Sequence, residues 1–242
     1  MRRKERVPPY PRVMLKVSGQ ALQGQQGQGL HPEVVRRLAL DLLRTQKKGI
    51  QLAVTVGGGN VFRGSEAPEH GMDRATGDYM GMLATLMNAI ALQSALENEG
   101  AHAHVHSAIR MEAIAEPYVR ARALSQLDEG QLVIFAGGTG NPFFSTDMAA
   151  VLRALEMNCS IVLKGTTVGG VYTKDPRKHR GVKKYSTLRL LDAVNNPDIT
   201  VMDNSALVLC SDHRLPVIIF DITKEGALDA VLRGKPVGTL IR

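Results

Sequence analysis

Tryptophan is absent from this 242-residue sequence, cysteine occurs twice, and aromatic residues make up only 4%. Two cysteines, Cys159 and Cys210, cannot build a disulfide framework, and they fit a reducing, cytoplasmic compartment. Long hydrophobic runs are missing as well. No uninterrupted apolar stretch approaches the roughly 20 residues that a membrane span needs. The start, MRRKERVPPYP, is basic but runs into prolines rather than into the apolar segment of a secretory signal. Two familiar phosphate motifs are also lacking. Without G-x-x-x-x-G-K-[ST] the chain is no P-loop kinase, and without a complete G-x-G-x-x-G a dinucleotide-binding Rossmann domain loses support.

Charge is plentiful but unevenly placed. The formal net charge is +7, yet residues 2–6 carry four cations and one anion, and residues 174–184 carry six cations and one anion. The remainder is close to neutral, so the basic stripe expected of a nucleic-acid module is missing from the folded body. Nucleic acid is therefore a disfavoured partner. The two stretches read as a solvated tail plus a surface loop, or, for the second, as a loop that helps hold a polyanionic ligand.

What recurs is a short apolar run that ends in glycines. It appears as VMLKVSG (13–19), QLAVTVGGGN (51–60), QLVIFAGGTGN (131–141) and SIVLKGTTVGG (160–170). Such runs read as strands covered on both faces. Helical patterns lie between them. One runs from His31-Pro32 to Lys48-Gly49. A longer one follows Asp78, with Met80, Leu83, Met87, Ile90 and Ala91 on one face. A third follows Asp147 through Ala150, Leu152 and Leu155. Met80, Met82 and Met87 read as core packing. Strands alternating with helices predict an α/β fold with a mostly parallel sheet. Ligands bind such a sheet at the carboxyl ends of its strands, where backbone N–H groups in glycine turns favour phosphates.

Several side chains near those ends could carry chemistry. Lys16 sits inside the first run and Lys164 stands in the equivalent place at the end of SIVLK. A lysine in a hydrophobic strand either reaches solvent or serves as a point charge on a transferred phosphoryl group. Arg63 offers a forked donor suited to a phosphate monoester. Asp78 and Asp147 read as helix-start anions, as partners of ribose hydroxyls, or as groups that order the cationic site. His102, His104 and His106 alternate on one strand face. That spacing could grip a metal, but no cysteine or carboxylate accompanies them nearby, so a surface-facing or subunit-facing strand is the favoured reading and no metal site is assigned.

The segments KVSGQAL, GGGNVFRG, GDYMGMLATLMNA, GGTGNPFFSTD and LKGTTVGGVYTKDP resemble, in order, those of the uridylate kinase branch of the amino acid kinase superfamily. The resemblance covers nearly the whole chain from Arg12 onward. It implies a three-layer αβα sandwich over residues 12–242, behind a basic tail at 1–11, with a UMP-binding part mainly N-terminal and an ATP-binding part mainly C-terminal. It also implies phosphoryl transfer from ATP to UMP in de novo pyrimidine synthesis, with Mg²⁺ carried on ATP. Homohexamers are the expected assembly. Lys16, Arg63, Asp147 and Lys164 would be the catalytic set. ATP would lie along Lys16, Val17, Ser18, Gly19, Gly59, Arg63, Thr166, Tyr172 and Asp175. UMP would contact Gly58, Arg63 and Asp78, walled by Thr139, Gly140, Asn141, Pro142, Phe143, Phe144, Ser145 and Thr146. The two phenylalanines, unless simply core, would then supply flat apolar contact to the base beside a few directed polar groups.

The match is imperfect at the donor side. Gln20 stands where the family usually has Glu, and Gly169 where it usually has Asp. The segment Gly24, Gln25, Gln26, Gly27, Gln28 and Gly29 matches the position and glycine spacing of a GTP effector segment. The long helix and following strand nevertheless offer Gln93, Glu97 and His104 in place of cations, which predicts weak or absent GTP activation, with His104 compensating in part at lower pH. Two rival classes remain: a non-catalytic nucleotide or oxyanion binder on the same scaffold, and a nucleic-acid-binding regulator.

Overall fold

The four glycine-ended runs fold as neighbours. In the computed structural model, which describes residues 10–24, 27–176 and 178–242, they form β1 (Arg12–Val17), β2 (Gln51–Val56), β5 (Leu132–Ala136) and β6 (Ile161–Thr166). The remaining strands are β3 (Ala103–Ser107), β4 (Glu116–Pro117), β7 (Thr187–Leu188), β8 (Val217–Asp221) and β9 (Thr239–Ile241). All nine join one sheet in the order β4-β3-β5-β2-β1-β6-β8-β9-β7. Among these strands only the β8–β9 pairing is antiparallel. Gln25 and Gln26 of the effector segment lie outside the described residues, as do residues 1–9 of the basic tail and Arg177 of the basic loop.

Strand alternation sends side chains to two apolar layers. Val13, Leu15 and Val17 of β1 meet α1 (Pro32–Gln46), α2 (Arg74–Asn98) and α7 (Ala227–Leu232) on one face. Met14 joins the opposite layer, formed with α3 (Arg120–Asp128), α4 (Thr146–Glu156), α5 (Leu190–Val194) and α6 (Asn204–Asp212). The protein is therefore a three-layer α/β sandwich around a mostly parallel sheet.

Helix α2 departs from the sequence reading in two ways. It begins at Arg74 rather than after Asp78, because Asp73 accepts a hydrogen bond from Thr76 N at 3.0 Å and so caps the first turn. Gly77 disguised that turn. A Cβ there would strike the Ala67 side chain and lie 3.0 Å from Gly64 O, so close packing explains a residue that helix propensity disfavours. The face read as core is also open. Met80, Leu83 and Met87 are 37%, 44% and 55% exposed, whereas Met82 is buried. The inner face combines Gly77, Ala84, Thr85, Asn88 and Ala89 with the buried side chains of Met82, Leu86, Leu92 and Leu96. By length and composition alone α2 is apolar enough to cross a membrane. Here its inner face packs on the sheet.

The histidine strand is neither an edge nor surface-facing. β3 lies between β4 and β5. His106 is fully buried beneath α3, its Nε2 2.6 Å from Gln126 Oε1, and it packs near the rings of Tyr118 and Phe135. His104 Nδ1 lies 2.8 Å from Glu116 Oε1, while His102 precedes the strand and is exposed. Buried polar groups need partners, and for these two rings protein side chains supply one each.

Candidate active site

The parallel register of β1 and β6 sets Lys16 directly opposite Lys164. Period-two alternation places both on the face of α4, and both are buried. Asp147, in the first turn of α4, reaches between them. Its Oδ1 lies 3.0 Å from Lys16 Nζ, and its Oδ2 accepts a hydrogen bond from Lys164 Nζ. Ser145 rather than Asp147 caps this helix, its Oγ accepting from Met148 N at 3.2 Å. That frees the Asp147 carboxylate for the lysines. Solvent-reaching lysines are thereby ruled out.

Three buried charges within hydrogen-bond reach perturb one another. Burial disfavours ionised Asp147, but the charges of Lys16 and Lys164 outweigh it and hold the carboxyl well below the usual range. Burial, opposed by Asp147 and reinforced by Lys16, lowers Lys164 to about 8. A compact cationic site with one excess positive charge results, open to an anion. Asp203 supports it from the N-terminus of α6. Its backbone N–H donates to Asp147 Oδ2 at 3.1 Å, and its carboxylate accepts from Ser145 Oγ.

A cleft of about 240 Å³ opens beside this cluster. Lys16, Ser18, Lys164, Thr166, Tyr172 and Asp175 line it, together with Gln20. Among the described residues the buried Ser18 Oγ has no hydrogen-bond partner, so a polar atom beside the cleft is left unsatisfied. Sequence reasoning missed part of the wall, Thr167, Val168 and residues 198–201, whereas Lys174 and Pro176 belong to the basic loop read as holding a polyanion. Residues 198–201 lie in a stretch with no glycine turn and no strand to mark it. Val17, Gly19, Gly59 and Arg63 do not line this cleft. Gly19 instead packs on the second glycine turn, where a Cβ would lie 2.8 Å from Gly59 N and collide with the Asn60 side chain.

On the other side of β1 the remaining residues gather. Arg63 Nε donates to Gly59 O at 3.3 Å, and its guanidinium lies 3.6 Å from Glu66. Asp78 ties two elements together, accepting from Arg74 Nε at 2.8 Å and from Phe143 N at 2.7 Å. It is thus an internal helix residue that grips the 139–146 turn. Within that turn Asn141 N donates to Thr139 Oγ1 at 3.2 Å, and Gly140 and Phe143 take positive φ values of 82° and 70°. A left-handed phenylalanine is costly and marks a backbone held for a purpose. Phe143 and Phe144 are 70% and 51% exposed, so neither belongs to the core. Pro142, Ser145 and Thr146 are half-buried, and Gly58 is buried and pressed onto α2.

A doubly covered parallel sheet with glycine turns and a Lys–Asp–Lys cluster at its carboxyl ends defines the class. Residues 11–221 match the Amino acid kinase family, and the chain belongs to that family. Among solved structures, the chain is similar to UMP kinase from Bacillus anthracis, at 39% identity and a TM-score of 0.92, covering 97% of this chain and 96% of that one. UMP kinase from Ureaplasma parvum is 33% identical with a TM-score of 0.88, covering 95% and 97%. Uridylate kinase from Archaeoglobus fulgidus is 25% identical with a TM-score of 0.73, covering 95% and 99%.

Proposed function

We propose that this protein transfers the γ-phosphoryl group of ATP to UMP, giving UDP and ADP. The observation that carries the reading is the Lys16–Asp147–Lys164 cluster, set between a polar cleft and the GGTGNPFFSTD turn. An oxygen of the UMP phosphate attacks the γ-phosphorus in line. The bond from that phosphorus to the β–γ bridging oxygen breaks, and ADP leaves with the electron pair. Lys16 and Lys164 neutralise charge on the moving group, and Asp147 holds both ammonium groups in place. Arg63 binds the acceptor phosphate. No general base is needed, because the attacking phosphate oxygen is already anionic.

ATP lies in the cleft along Lys16, Ser18, Thr166, Tyr172 and Asp175. UMP lies along Gly58, Arg63, Asp78 and residues 139–146, with Phe143 and Phe144 against the base. Residues 12–242 act as one domain. Mg²⁺ carried with ATP would supply charge neutralisation to its phosphates. Among the described residues no group of three or more His, Cys, Asp or Glu gathers, and Asp147 is engaged by two lysines. That donor set fits an ion held mainly by phosphate oxygens and water, with Asp175 and Asp198 the carboxylates at the cleft. The exposed stripe of Met80, Leu83 and Met87 supports self-association, and a homohexamer is the assembly we propose. Two buried free cysteines support a reducing cytoplasm, and pyrimidine nucleotide supply is the process served.

Incubation with ATP and, separately, UMP, CMP or dUMP, followed by ion-exchange separation of products, tests the reading. Equal yields of UDP and ADP are expected, with strong discrimination against CMP and a measurable one against dUMP. Comparable efficiency on CMP would identify the wrong acceptor. Nucleotide binding without turnover would favour the non-catalytic binder.

A further inference from the structure

Helix α2 is apolar along most of its length, yet two of its innermost residues are Thr85 and Asn88, at 4% and 0% exposure. Buried polar side chains destabilise a helix–sheet interface unless every group is paired. Both are paired, and to the same kind of target. Thr85 Oγ1 accepts from Gly137 N at 2.8 Å, at the start of the turn that leads to Phe143. One helical turn on, Asn88 Nδ2 donates to Gly57 O at 2.6 Å, in the glycine turn after β2. The hydroxyl of Thr85 donates to Met82 O at 2.7 Å, so its lone pair is fixed toward Gly137.

The bracket extends through Asn60. Its side-chain amide pairs reciprocally with that of Asn88, at 2.7 and 3.1 Å, and also donates to Gly29 O at 2.7 Å. Gly29 N in turn donates to Asn60 O at 2.8 Å. Backbone contact is just as close. A Cβ on Gly58 would lie 2.6 Å from Gly81 O and 2.8 Å from the Ala84 side chain. The turn therefore lies flush against α2, with no room to shift inward.

We propose that Thr85 and Asn88 are positioning residues of the acceptor site: one helix face fixes the spacing between the 57–60 and 137–146 turns. This rests on the reading of those turns as the UMP side. Neither side chain lines the donor cleft beside Lys16, so their loss acts on one substrate. Hydrogen bonds to backbone hold such turns within the small tolerance that transfer geometry needs.

The test compares Thr85→Val, which keeps the shape and loses the oxygen, with Thr85→Ser, which keeps the oxygen. Steady-state constants are read for UMP and ATP separately. Thr85→Val and Asn88→Ala are each expected to raise KM for UMP by about tenfold while KM for ATP stays within about twofold, and Thr85→Ser to restore the wild-type value. If Asn88→Ala fails to fold, Asn88→Asp serves, because a carboxylate cannot donate to Gly57 O. Equal rises for both nucleotides, no change in either, or failure of serine to rescue would overturn the proposal. If the wild type does not phosphorylate UMP, the functional reading fails on its own. UMP and ATP dissociation constants, read by calorimetric titration on the same variants, then decide the bracket.

Discussion

Lys16 and Lys164 are register partners across β1 and β6, and a single carboxylate, Asp147, binds both. Two buried ammonium groups side by side repel each other strongly. Their stability therefore depends on the anion between them, and a bound phosphoryl group would offset the charge that remains.

Removal of that anion is the first expectation. Asp147→Asn should destabilise the fold by about 3 kcal/mol or more, as breaking a buried pair does. Because the Asp147 carboxyl is held well below its ordinary value, its contribution is present above pH ~4 and is lost as pH falls through and below that value. Urea unfolding from pH 7 down to about pH 2 reads this, and the variant should show a flatter acid limb below pH ~4. Equal acid sensitivity in both proteins would assign the loss to other carboxylates.

Lys164, lowered to about 8 mainly by burial, gives a second expectation with opposite signs for two observables. Between pH ~8 and ~10 the unfolded chain retains that proton and the folded one does not, so stability rises with pH. Over the same window kcat/KM should fall, as the ammonium that faces the phosphoryl group is lost. Lys164→Arg should move the falling limb out of the accessible range, because guanidinium stays charged. Parallel pH–rate and pH–unfolding series check both. A wild-type rate that is flat to pH 10 would remove Lys164 from the reaction.

On the long helix, where a GTP effector is expected to need cations, Gln93 Nε2 donates to Glu97 at 3.0 Å and to Ala103 O at 3.0 Å. The helix thus presents an amide and a carboxylate where a triphosphate would need cations. His104 already faces Glu116, which Arg122 also contacts at 3.2 Å. The His104 ring is engaged within the protein rather than offered to a ligand. GTP should therefore activate weakly or not at all at pH 8 and at pH 6, and the low-pH enhancement expected from sequence should be absent. Initial rates against GTP at both pH values decide. Strong activation at pH 8 would require cations from another subunit.

Much of this was legible before any coordinates. Glycines after four apolar runs placed the strand ends, and a lysine at the same offset in two of them implied a shared site. What pairing added was register: nothing local says that residue 16 faces residue 164, or that β1 lies between β2 and β6. The long helix was misread because amphipathic patterning assumes that the apolar face is inward. In α2 the part of the inward face that meets the glycine turns carries Gly77, Ala84, Thr85 and Asn88, while Leu86, Leu92 and Leu96 fill the core and Met80, Leu83 and Met87 point out. The histidine strand misled for a related reason. Alternation shows that His104 and His106 share a face, but only tertiary packing shows that Gln126 covers it. The cleft wall at 198–201 carries no local signal, since it is loop between α5 and α6.

The most direct measurement takes Lys16→Ala and reads two quantities on one preparation: UMP affinity by titration, and ADP release with saturating UMP and ATP. Lys16 lies on the donor side, away from the Phe143–Phe144 turn, so UMP affinity should stay within about threefold while turnover falls by well over tenfold, more than about 1.4 kcal/mol of barrier. Turnover within about tenfold of wild type would contradict the role of the paired lysines in phosphoryl transfer.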